Sequence, residues 1–415
     1  MADSKVGSGG VDPAPAADRP SRRSFLRHAG VAAAAAAAGG TTTAAQTARQ
    51  LGATPREHGE RSPHVGSKRW SRAPDATASS SNSPLADSVG IVTPSDLHFE
   101  RHHTGVPEID PAEHRLLIHG LVERPLVFTM DDLVRLPAVS RFHFVECSGN
   151  SAAEWRPPGR PNVQMSHGLV SCSEWTGVLL SDLLDEVGVQ SRASWIVAEG
   201  ADAGRMSRSV PLQRARDDVI LAYGQNGEAV RPEQGYPLRL LVPGCEGSLN
   251  VKWLRGIEVA SLPAMARDET SKYTDLLPDG RARQFTLVMD AKSVITDPSG
   301  EQKLNAPGFH EIRGLAWSGR GRIDRVEVST DGGGRWVDAE LQEPRLPKAF
   351  TRFRLPWRWQ GAEHVVMSRA TDETGYVQPT LAALIEARGM STIYHHNAIK
   401  PWQVHASGEV TNVEV

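Results

Sequence analysis

The chain has 415 residues, of which 49 are acidic and 46 basic, so its formal net charge is -3. This near balance gives no general electrostatic basis for binding nucleic acid or a membrane surface. The length suffices for two or three domains, and the three cysteines, Cys147, Cys172 and Cys245, cannot form a disulfide framework.

Residues 1–45 are predicted to be a twin-arginine export signal. Arg22 and Arg23 precede the weakly apolar alanine run Val31–Ala38, which is too short and too mild to span a bilayer. Such a signal exports folded protein, so we expect the mature chain in the periplasm. Residues 46–89 are rich in Ser, Ala, Pro and charge and lack an apolar period, which predicts a low-complexity linker.

The region around Cys147 carries the most informative local pattern. Alternation along residues 141–147 predicts a strand with His143, Val145 and Cys147 on one face. The turn-forming segment 148–150 follows at once and bends the chain away. A thiolate at such a rim acts as a nucleophile or as a ligand for a soft metal, whereas the alternative is a small buried core residue.

The segment 146–150 reads Glu-Cys-Ser-Gly-Asn and resembles the molybdenum-ligating cysteine stretch of the sulfite oxidase family. Other segments resemble motifs of the same family and follow in the same order along the chain. They are Phe99–His103, Trp175–Val178, Glu199–Asp202, Leu221–Tyr223, Gly235–Arg239, Val242–Gly244 and Val251–Leu254. The resemblance covers about residues 90 to 410 and implies a molybdenum–molybdopterin cofactor.

The local patterns and the resemblance together predict two folded regions. Residues 90–265 mix short strands with short helices, and the resemblance implies the α+β molybdopterin-binding fold of sulfite oxidases. Residues 280–410 contain short strands, two of which flank Asp331–Gly334, a hairpin signal. These strands suggest an all-β immunoglobulin-like sandwich, which in the family is the dimerisation domain.

The resemblance also assigns residues to the site. Cys147 would hold the molybdenum, and Arg101 would lie beside the substrate oxyanion, where a planar guanidinium suits an oxygen-rich group. Tyr273 and Arg322 are expected to be catalytic as well, with Arg320 as the alternative to Arg322. The expected cofactor-binding residues are Phe99, Arg101, His102, His103, Cys147, Asp202, Arg239, Asn250, Val251 and Lys252.

Three segments look like one branch of the family, the molybdenum subunits of Sox sulfane dehydrogenases. They are Ala316–Gly321, Val377–Thr380 and Tyr394–Ile399. Ala152 stands where sulfite oxidases usually carry an arginine, which removes an anion contact and leaves room for a larger substrate. The branch implies oxidation of sulfane sulfur on a carrier protein to the sulfone level, with oxygen taken from water.

The expected partners follow from the same resemblance. No Cys-x-x-Cys-His haem attachment motif occurs in the sequence, so any haem is expected on another chain. We expect a separate dihaem c-type cytochrome subunit as the electron acceptor and a homodimer through the sandwich, giving a heterotetramer. Two alternatives stay open: a free-sulfite dehydrogenase, and a cofactor-carrying subunit without turnover. No membrane span is predicted.

Overall fold

The computed structural model describes residues 54–72 and 78–414. Residues 54–65 belong to a unit of their own and contain no helix or strand. All described helices and strands belong to the second unit, which begins at Gly66. The predicted export signal and the first residues of the predicted linker lie outside the described residues.

A small antiparallel sheet precedes the two larger folded regions. Its strands are β1 Trp70–Arg72, β2 Ser80–Asn82 and β3 Glu100–Arg101, in the order β1-β2-β3. The sequence placed the end of the linker at residue 89, but β2 pairs with β3 and Leu85 is buried in a core. That boundary is too late. The polar composition of β2 gave no indication of a strand, because backbone pairing needs no apolar side chains.

The α+β region, residues 116–270, contains two five-stranded sheets and five short helices within the described chain. The first sheet consists of β6 Ala138–Glu146, β7 Val170–Leu179, β10 Ile220–Gln225, β11 Glu228–Ala229 and β12 Arg239–Leu241. The second consists of β4 Leu116–Gly120, β5 Leu126–Phe128, β8 Trp195–Gly200, β9 Ser207–Pro211 and β13 Leu254–Ala260. The helices are α1 Met130–Val134, α2 Val163–His167, α3 Leu180–Val187, α4 Leu212–Asp217 and α5 Arg267–Thr270.

The two sheets of this region differ in strand order. The first runs β11-β10-β7-β6, with β12 also pairing with β10, and the second runs β5-β4-β13-β8-β9. Their described strand pairs are antiparallel except for β4 with β13. Helix α3 packs on a buried core that includes residues of the second sheet. Its residues Leu180, Leu183, Leu184 and Val187 recur at helical spacing and are all buried in that core. Gly188 ends this helix with a φ of 69°.

The long pair β6–β7 positions the predicted ligand cysteine. Its register runs from Ala138 opposite Val178 to Glu146 opposite Val170. Because β6 ends at Glu146, Cys147 is the first residue beyond the pairing. The strand therefore delivers the thiol to the edge of the sheet, as the alternation in the sequence predicted.

The sandwich region, residues 292–412, is built mainly from two antiparallel sheets. The first contains β16 Lys292–Asp297, β17 Gly308–Trp317, β20 Glu340–Gln342 and β21 Thr351–Trp359 in the order β16-β17-β21-β20. The second contains β18 Ile323–Ser329, β19 Val337–Asp338, β22 His364–Asp372, β23 Pro401–Val404 and β24 Val410–Asn412 in the order β19-β18-β22-β23-β24. Helix α6 is Leu381–Arg388, and the short strands β14 Asp275–Leu276 and β15 Ala282–Arg283 pair before the sandwich.

One hydrophobic core joins the sandwich region to the β6–β7 pair. Phe144 and Val170 belong to the same buried cluster as Val294, Leu315 and Val366, which come from both sandwich sheets. Burial of this shared apolar surface stabilises the two regions in one arrangement. The predicted order of an α+β region followed by a β-rich region is confirmed.

The predicted hairpin is also present, since β18 pairs with β19 across the turn at Asp331–Gly334. Within the described residues, the structure contains no helix with both the length and the apolar character needed to cross a membrane.

Candidate active site

A cavity lies near the ends of β3, β6 and β12. Every predicted site residue except Arg322 lines it, although these residues are spread from Phe99 to Tyr273 in the sequence. The remaining lining residues are His98, Val145, Met206, Gln234, Gly247, Ser248 and Trp253. The structure therefore gathers separate sequence motifs around one space.

Cys147 lies in a hydrogen-bonded turn at the wall of this cavity. Its N–H donates to Leu169 O at 3.0 Å, and the Asn150 N–H donates to the Cys147 carbonyl at 2.8 Å. Gly247 packs so closely that a Cβ atom there would lie 3.1 Å from Cys147 Cα. The pKa of the thiol is raised, because the effect of burial exceeds the lowering by a backbone N–H and by the charge of Arg101. Binding a metal would favour the thiolate.

Arg239 is a buried cation that has no carboxylate partner in the described part of the chain. It donates to Gln234 O at 2.9 Å and to Asn250 O at 3.2 Å, and it packs 4.7 Å from the Trp175 ring centroid. Its Nε has no hydrogen-bond partner among the described residues. Burial lowers the pKa of Arg239 to about 9. A buried positive charge of this kind favours a bound anion.

Lys252 adds a second cation to the same wall. Its Nζ donates to Arg101 O at 3.2 Å and to Glu233 O at 3.0 Å, and lies 3.0 Å from His102 Nδ1. Burial, and then repulsion by Arg239, lower the pKa of Lys252 to about 7. An anion bound between the two cations would offset both effects.

The two histidines occupy different positions. His102 is buried, and its Nε2 lies 2.7 Å from Glu100 Oε2 while its Nδ1 faces Lys252. Both of its ring nitrogens are thus engaged by protein groups, and burial lowers its pKa. His103 is exposed at the rim of the cavity. His102 therefore orients Lys252, and His103 is the more accessible of the two.

Asp202 supplies a carboxylate to the lining of the cavity. Its oxygens accept hydrogen bonds from Thr104 Oγ1 at 2.8 Å and from the Met206 N–H at 3.2 Å. These bonds hold the carboxylate in place while it lines the cavity. Carboxylates accept hydrogen bonds from amino and ring N–H groups, which is the donor type that a pterin presents.

Asn250 and Val251 line the cavity from the loop that precedes β13. The Asn250 side chain accepts from the Val242 N–H at 2.8 Å and donates to Glu246 O at 3.0 Å. These bonds hold the loop before β13, while the backbone carbonyl of Asn250 accepts a hydrogen bond from Arg239. Val251 is 2% exposed and, with Phe99, forms an apolar part of the wall.

Tyr273 lines the cavity and packs on Arg208, which is not among the site residues predicted from the sequence. The guanidinium of Arg208 donates to Glu246 at 2.7 Å and to Glu269 at 3.2 Å, and also bonds Ser248. Burial and the neighbouring Cys147 raise the pKa of Tyr273, so its hydroxyl stays protonated. No local pattern marks Arg208, because its role depends on burial against partners distant in sequence.

Arg322 does not reach the cavity, which corrects the prediction that it is catalytic. It pairs with Asp324 at 3.1 Å and is 42% exposed. The alternative, Arg320, pairs with Asp290 at 2.7 Å and lies over the Tyr376 ring. Neither arginine lines the cavity, and each side chain is held by an acidic neighbour, Asp324 or Asp290.

Ala152 also lies off the cavity wall, within the single-turn segment Ala152–Trp155. The additional room expected from an alanine at this position is therefore not part of the cavity surface in this structure.

The residues of the cavity fit a molybdenum–molybdopterin cofactor. Cys147 supplies a thiol, the ligand type that soft metals prefer. Arg239 and Lys252 supply buried positive charge for a phosphate, with the orphaned Arg239 Nε as the clearest mark of a missing acceptor. Asp202 supplies acceptors for the ring donors of a pterin.

Comparison with known proteins agrees with this fit. Residues 103–267 match the family model of the oxidoreductase molybdopterin binding domain, and residues 283–401 match that of the Mo-co oxidoreductase dimerisation domain. Mitochondrial sulfite oxidase of Rattus norvegicus is 31% identical over 334 residues, covering 73% of this chain and 60% of the relative. An NADH nitrate reductase of Ulva prolifera is 34% identical over 350 residues, covering 72% of this chain and 40% of the relative.

A solved structure is similar along almost its whole length. A chain of the sulfane dehydrogenase SoxCD from Paracoccus pantotrophus superimposes with a TM-score of 0.87 at 46% sequence identity. The alignment covers 90% of this chain and 98% of that one, whereas this chain spans about 60% of the rat sulfite oxidase. The chain belongs to the sulfite oxidase family of molybdopterin oxidoreductases and carries the molybdenum–molybdopterin cofactor of that family.

Proposed function

We propose that the protein is a periplasmic molybdenum oxidoreductase subunit that oxidises sulfane sulfur bound to a carrier protein, toward the sulfone level. The observation that carries this proposal is the 46% identity to a sulfane dehydrogenase across 98% of its chain. Each oxygen atom added to sulfur comes from water, and each addition releases two protons and two electrons. A c-type cytochrome subunit receives the electrons.

In this proposal the described side chains have distinct roles. Cys147 holds the metal, and Arg239, Lys252 and Asp202 hold the pterin and its phosphate. The bound cofactor supplies the exchange of oxygen and electrons. Arg101 faces the oxyanion that forms on sulfur, since a guanidinium donates paired hydrogen bonds to such a group.

The protonated hydroxyl of Tyr273 donates to the reacting sulfur group in the same proposal. Tyr273 is suited to this role because it lines the cavity and stays neutral. A neutral hydroxyl donates one hydrogen bond without adding a charge to the cavity.

The proposed assembly is a homodimer through the sandwich region that binds two cytochrome subunits. The match of residues 283–401 to a dimerisation domain supports the homodimer, and the likeness to SoxCD supports a second type of subunit. Sedimentation analysis of the purified chain with and without a dihaem c-type cytochrome tests both contacts. A monomer that never sediments with the cytochrome would contradict them.

A free-sulfite dehydrogenase is the second candidate. It is favoured by the similarity to rat sulfite oxidase and by a cavity that both Arg101 and Cys147 line. A subunit that carries the cofactor without turnover is the third, and would contain molybdenum while oxidising no sulfur compound.

One set of assays separates the three candidates. Purified protein is analysed for molybdenum and pterin, and kcat/KM is measured with free sulfite and with a thiosulfate-loaded carrier protein, each with and without the cytochrome. The proposal expects a higher kcat/KM on the loaded carrier and a strong dependence on the cytochrome. Preference for free sulfite would contradict it, and molybdenum without turnover would identify the third candidate.

A further inference from the structure

The carboxylate of Glu146, the residue before Cys147, is bound by both folded regions. Lys292 Nζ donates to Glu146 Oε1 at 2.7 Å, and Trp317 Nε1 donates to Oε2 at 2.7 Å. Glu146 is fully buried and Lys292 is 1% exposed. Two donors from the sandwich region thus hold a carboxylate of the α+β region, with both of its oxygens engaged.

The two sandwich donors are themselves neighbours. Lys292 begins β16 and Trp317 ends β17, and the two residues are direct partners in the register of that strand pair. Side chains of such cross-strand partners lie on one face of a sheet. The sandwich region therefore places two hydrogen-bond donors side by side, and the Glu146 carboxylate accepts a hydrogen bond from each.

The same carboxylate also accepts a hydrogen bond from the turn that carries the thiol. Asn150 Nδ2 donates to Glu146 Oε1 at 2.9 Å, and the Leu169 N–H donates to Asn150 Oδ1 at 3.1 Å. Leu169 O in turn accepts the Cys147 N–H at 3.0 Å. The hydrogen bonds run from the Glu146 carboxylate through Asn150 and Leu169 back to Cys147.

A third contact from the sandwich region reaches the turn directly. The His395 N–H donates to Ser148 O at 2.8 Å. The residue before Cys147 and the residue after it are therefore both held by the sandwich region.

We infer that Lys292 and Trp317 are positioning residues of the active site, which fix the Cys147 turn through Glu146. The sandwich region then has a second role besides dimerisation, since it orients the cysteine through residues that do not line the cavity. This inference rests on the proposed role of Cys147 as metal ligand. Groups that orient a ligand from outside commonly affect metal affinity or activity by roughly 10- to 100-fold.

A second buried pair provides a matched control. Lys400 Nζ donates to Glu154 Oε2 at 2.7 Å, and their side chains are 3% and 5% exposed. This pair also joins the two regions, but among the described residues the Glu154 carboxylate accepts hydrogen bonds from Arg160 and Lys400 and from none of residues 147–150. Lys292→Met and Lys400→Met each remove one buried lysine from an interregional ion pair, so both should lower the melting temperature.

The readouts test the turn and the metal separately. Hydrogen exchange is measured over residues 147–150 in the full chain produced without cofactor, and molybdenum and pterin contents are measured in the loaded protein. Lys292→Met should speed exchange in the turn, reduce metal content or kcat by roughly 10- to 100-fold, and alter the EPR spectrum of the residual metal centre. Lys400→Met should leave all of these as in the unaltered protein.

Two further variants keep the test decisive if Lys292→Met does not fold. Trp317→Phe removes one donor without leaving an unpaired charge, and the double variant Glu146→Gln with Lys292→Met removes both charges together. Each should still speed exchange in the turn. The inference is overturned if the turn and the EPR spectrum are unchanged in these variants, or if Lys400→Met changes them equally.

Failure of the underlying ligand assignment would look different. If Cys147→Ser retained molybdenum with an unchanged EPR spectrum, the assignment of the metal ligand would fail. The hydrogen-exchange result in the cofactor-free chain would still decide whether Lys292 fixes the turn.

Discussion

The guanidinium carbon of Arg208 lies 4.5 Å from the centroid of the Tyr273 ring. Arg208 is 1% exposed and is held by Glu246 and Glu269, so it forms a fixed cationic surface beneath the ring. Tyr394 packs 5.2 Å from the same ring. The aromatic ring is thus anchored on both a cation and a second tyrosine, and in the proposed function the hydroxyl of Tyr273 donates to the substrate.

Replacing Tyr273 with Phe should therefore lower kcat/KM by about fivefold while leaving the melting temperature nearly unchanged. The ring contacts with Arg208 and Tyr394 remain, and only one hydrogen-bond donor is lost, which is worth on the order of 1 kcal/mol. Steady-state kinetics and thermal unfolding measure the two effects. Tyr376→Phe serves as control, because the Tyr376 ring also contacts an arginine, Arg320, but does not line the cavity. Equal losses in both variants would contradict a role in the reaction.

Replacing Cys147 with Ser should abolish sulfur oxidation without preventing folding. A hydroxyl is a harder donor than a thiolate and is a poor ligand for a soft metal. Activity, molybdenum content and far-ultraviolet circular dichroism check the prediction. Cys245→Ala is the control, since Cys245 is buried in the core and does not line the cavity. Full activity of Cys147→Ser with bound molybdenum would refute the ligand assignment.

Replacing Arg101 with Met should weaken use of an oxyanionic sulfur substrate by roughly 10- to 100-fold in kcat/KM. That range corresponds to the loss of one hydrogen bond to a charged group. Arg322→Met should have no such effect, because Arg322 is bound to Asp324 away from the cavity. A larger kinetic loss in Arg322→Met than in Arg101→Met would restore the catalytic assignment that the structure corrected.

Lys252 should give the cofactor-free chain a distinct pH dependence. Burial, and then repulsion by Arg239, lower its pKa to about 7 in the folded protein, against 10.5 for an unperturbed lysine. Between these values the unfolded chain binds more protons, so the free energy of unfolding should rise with pH, by at most about 1.4 kcal/mol per pH unit. The gain is absent below about pH 7, where Lys252 is protonated in both states.

Urea unfolding of the unaltered chain and of Lys252→Met at several pH values measures this contribution. The variant should show a flatter rise between pH 7 and the pKa of the unfolded lysine, 10.5. Loading the cofactor should also flatten the rise, because a bound anion favours the protonated lysine. Parallel curves for the two proteins would mean that Lys252 is not desolvated in solution.

Changing Arg22 and Arg23 to Lys should stop export and leave the protein in the cytoplasm. Recognition of a twin-arginine signal distinguishes arginine from lysine, although both carry a positive charge. Cell fractionation followed by immunoblotting measures the distribution. Periplasmic accumulation of the double variant at the normal level would contradict the predicted route.

The local patterns of the sequence determined much of the fold and part of the site. Alternation followed by turn-forming residues predicted that a strand ends at Cys147, and in the structure β6 ends one residue earlier, at Glu146. The Asp331–Gly334 turn predicted the β18–β19 hairpin for the same reason. Both features depend on residues adjacent in the chain, whose backbone preferences and side-chain period can be read directly.

Tertiary structure alone decided which charged side chains meet. Lys292 reaches Glu146, 146 positions earlier, while Arg322 remains with Asp324 only two residues away. An arginine or lysine in a sequence carries no mark of its partner, because the pairing depends on which strands pack together and which groups they bury. The sequence by itself therefore determined the family motifs and the strand that delivers Cys147, and the packing of the sandwich region decided what holds that cysteine in place.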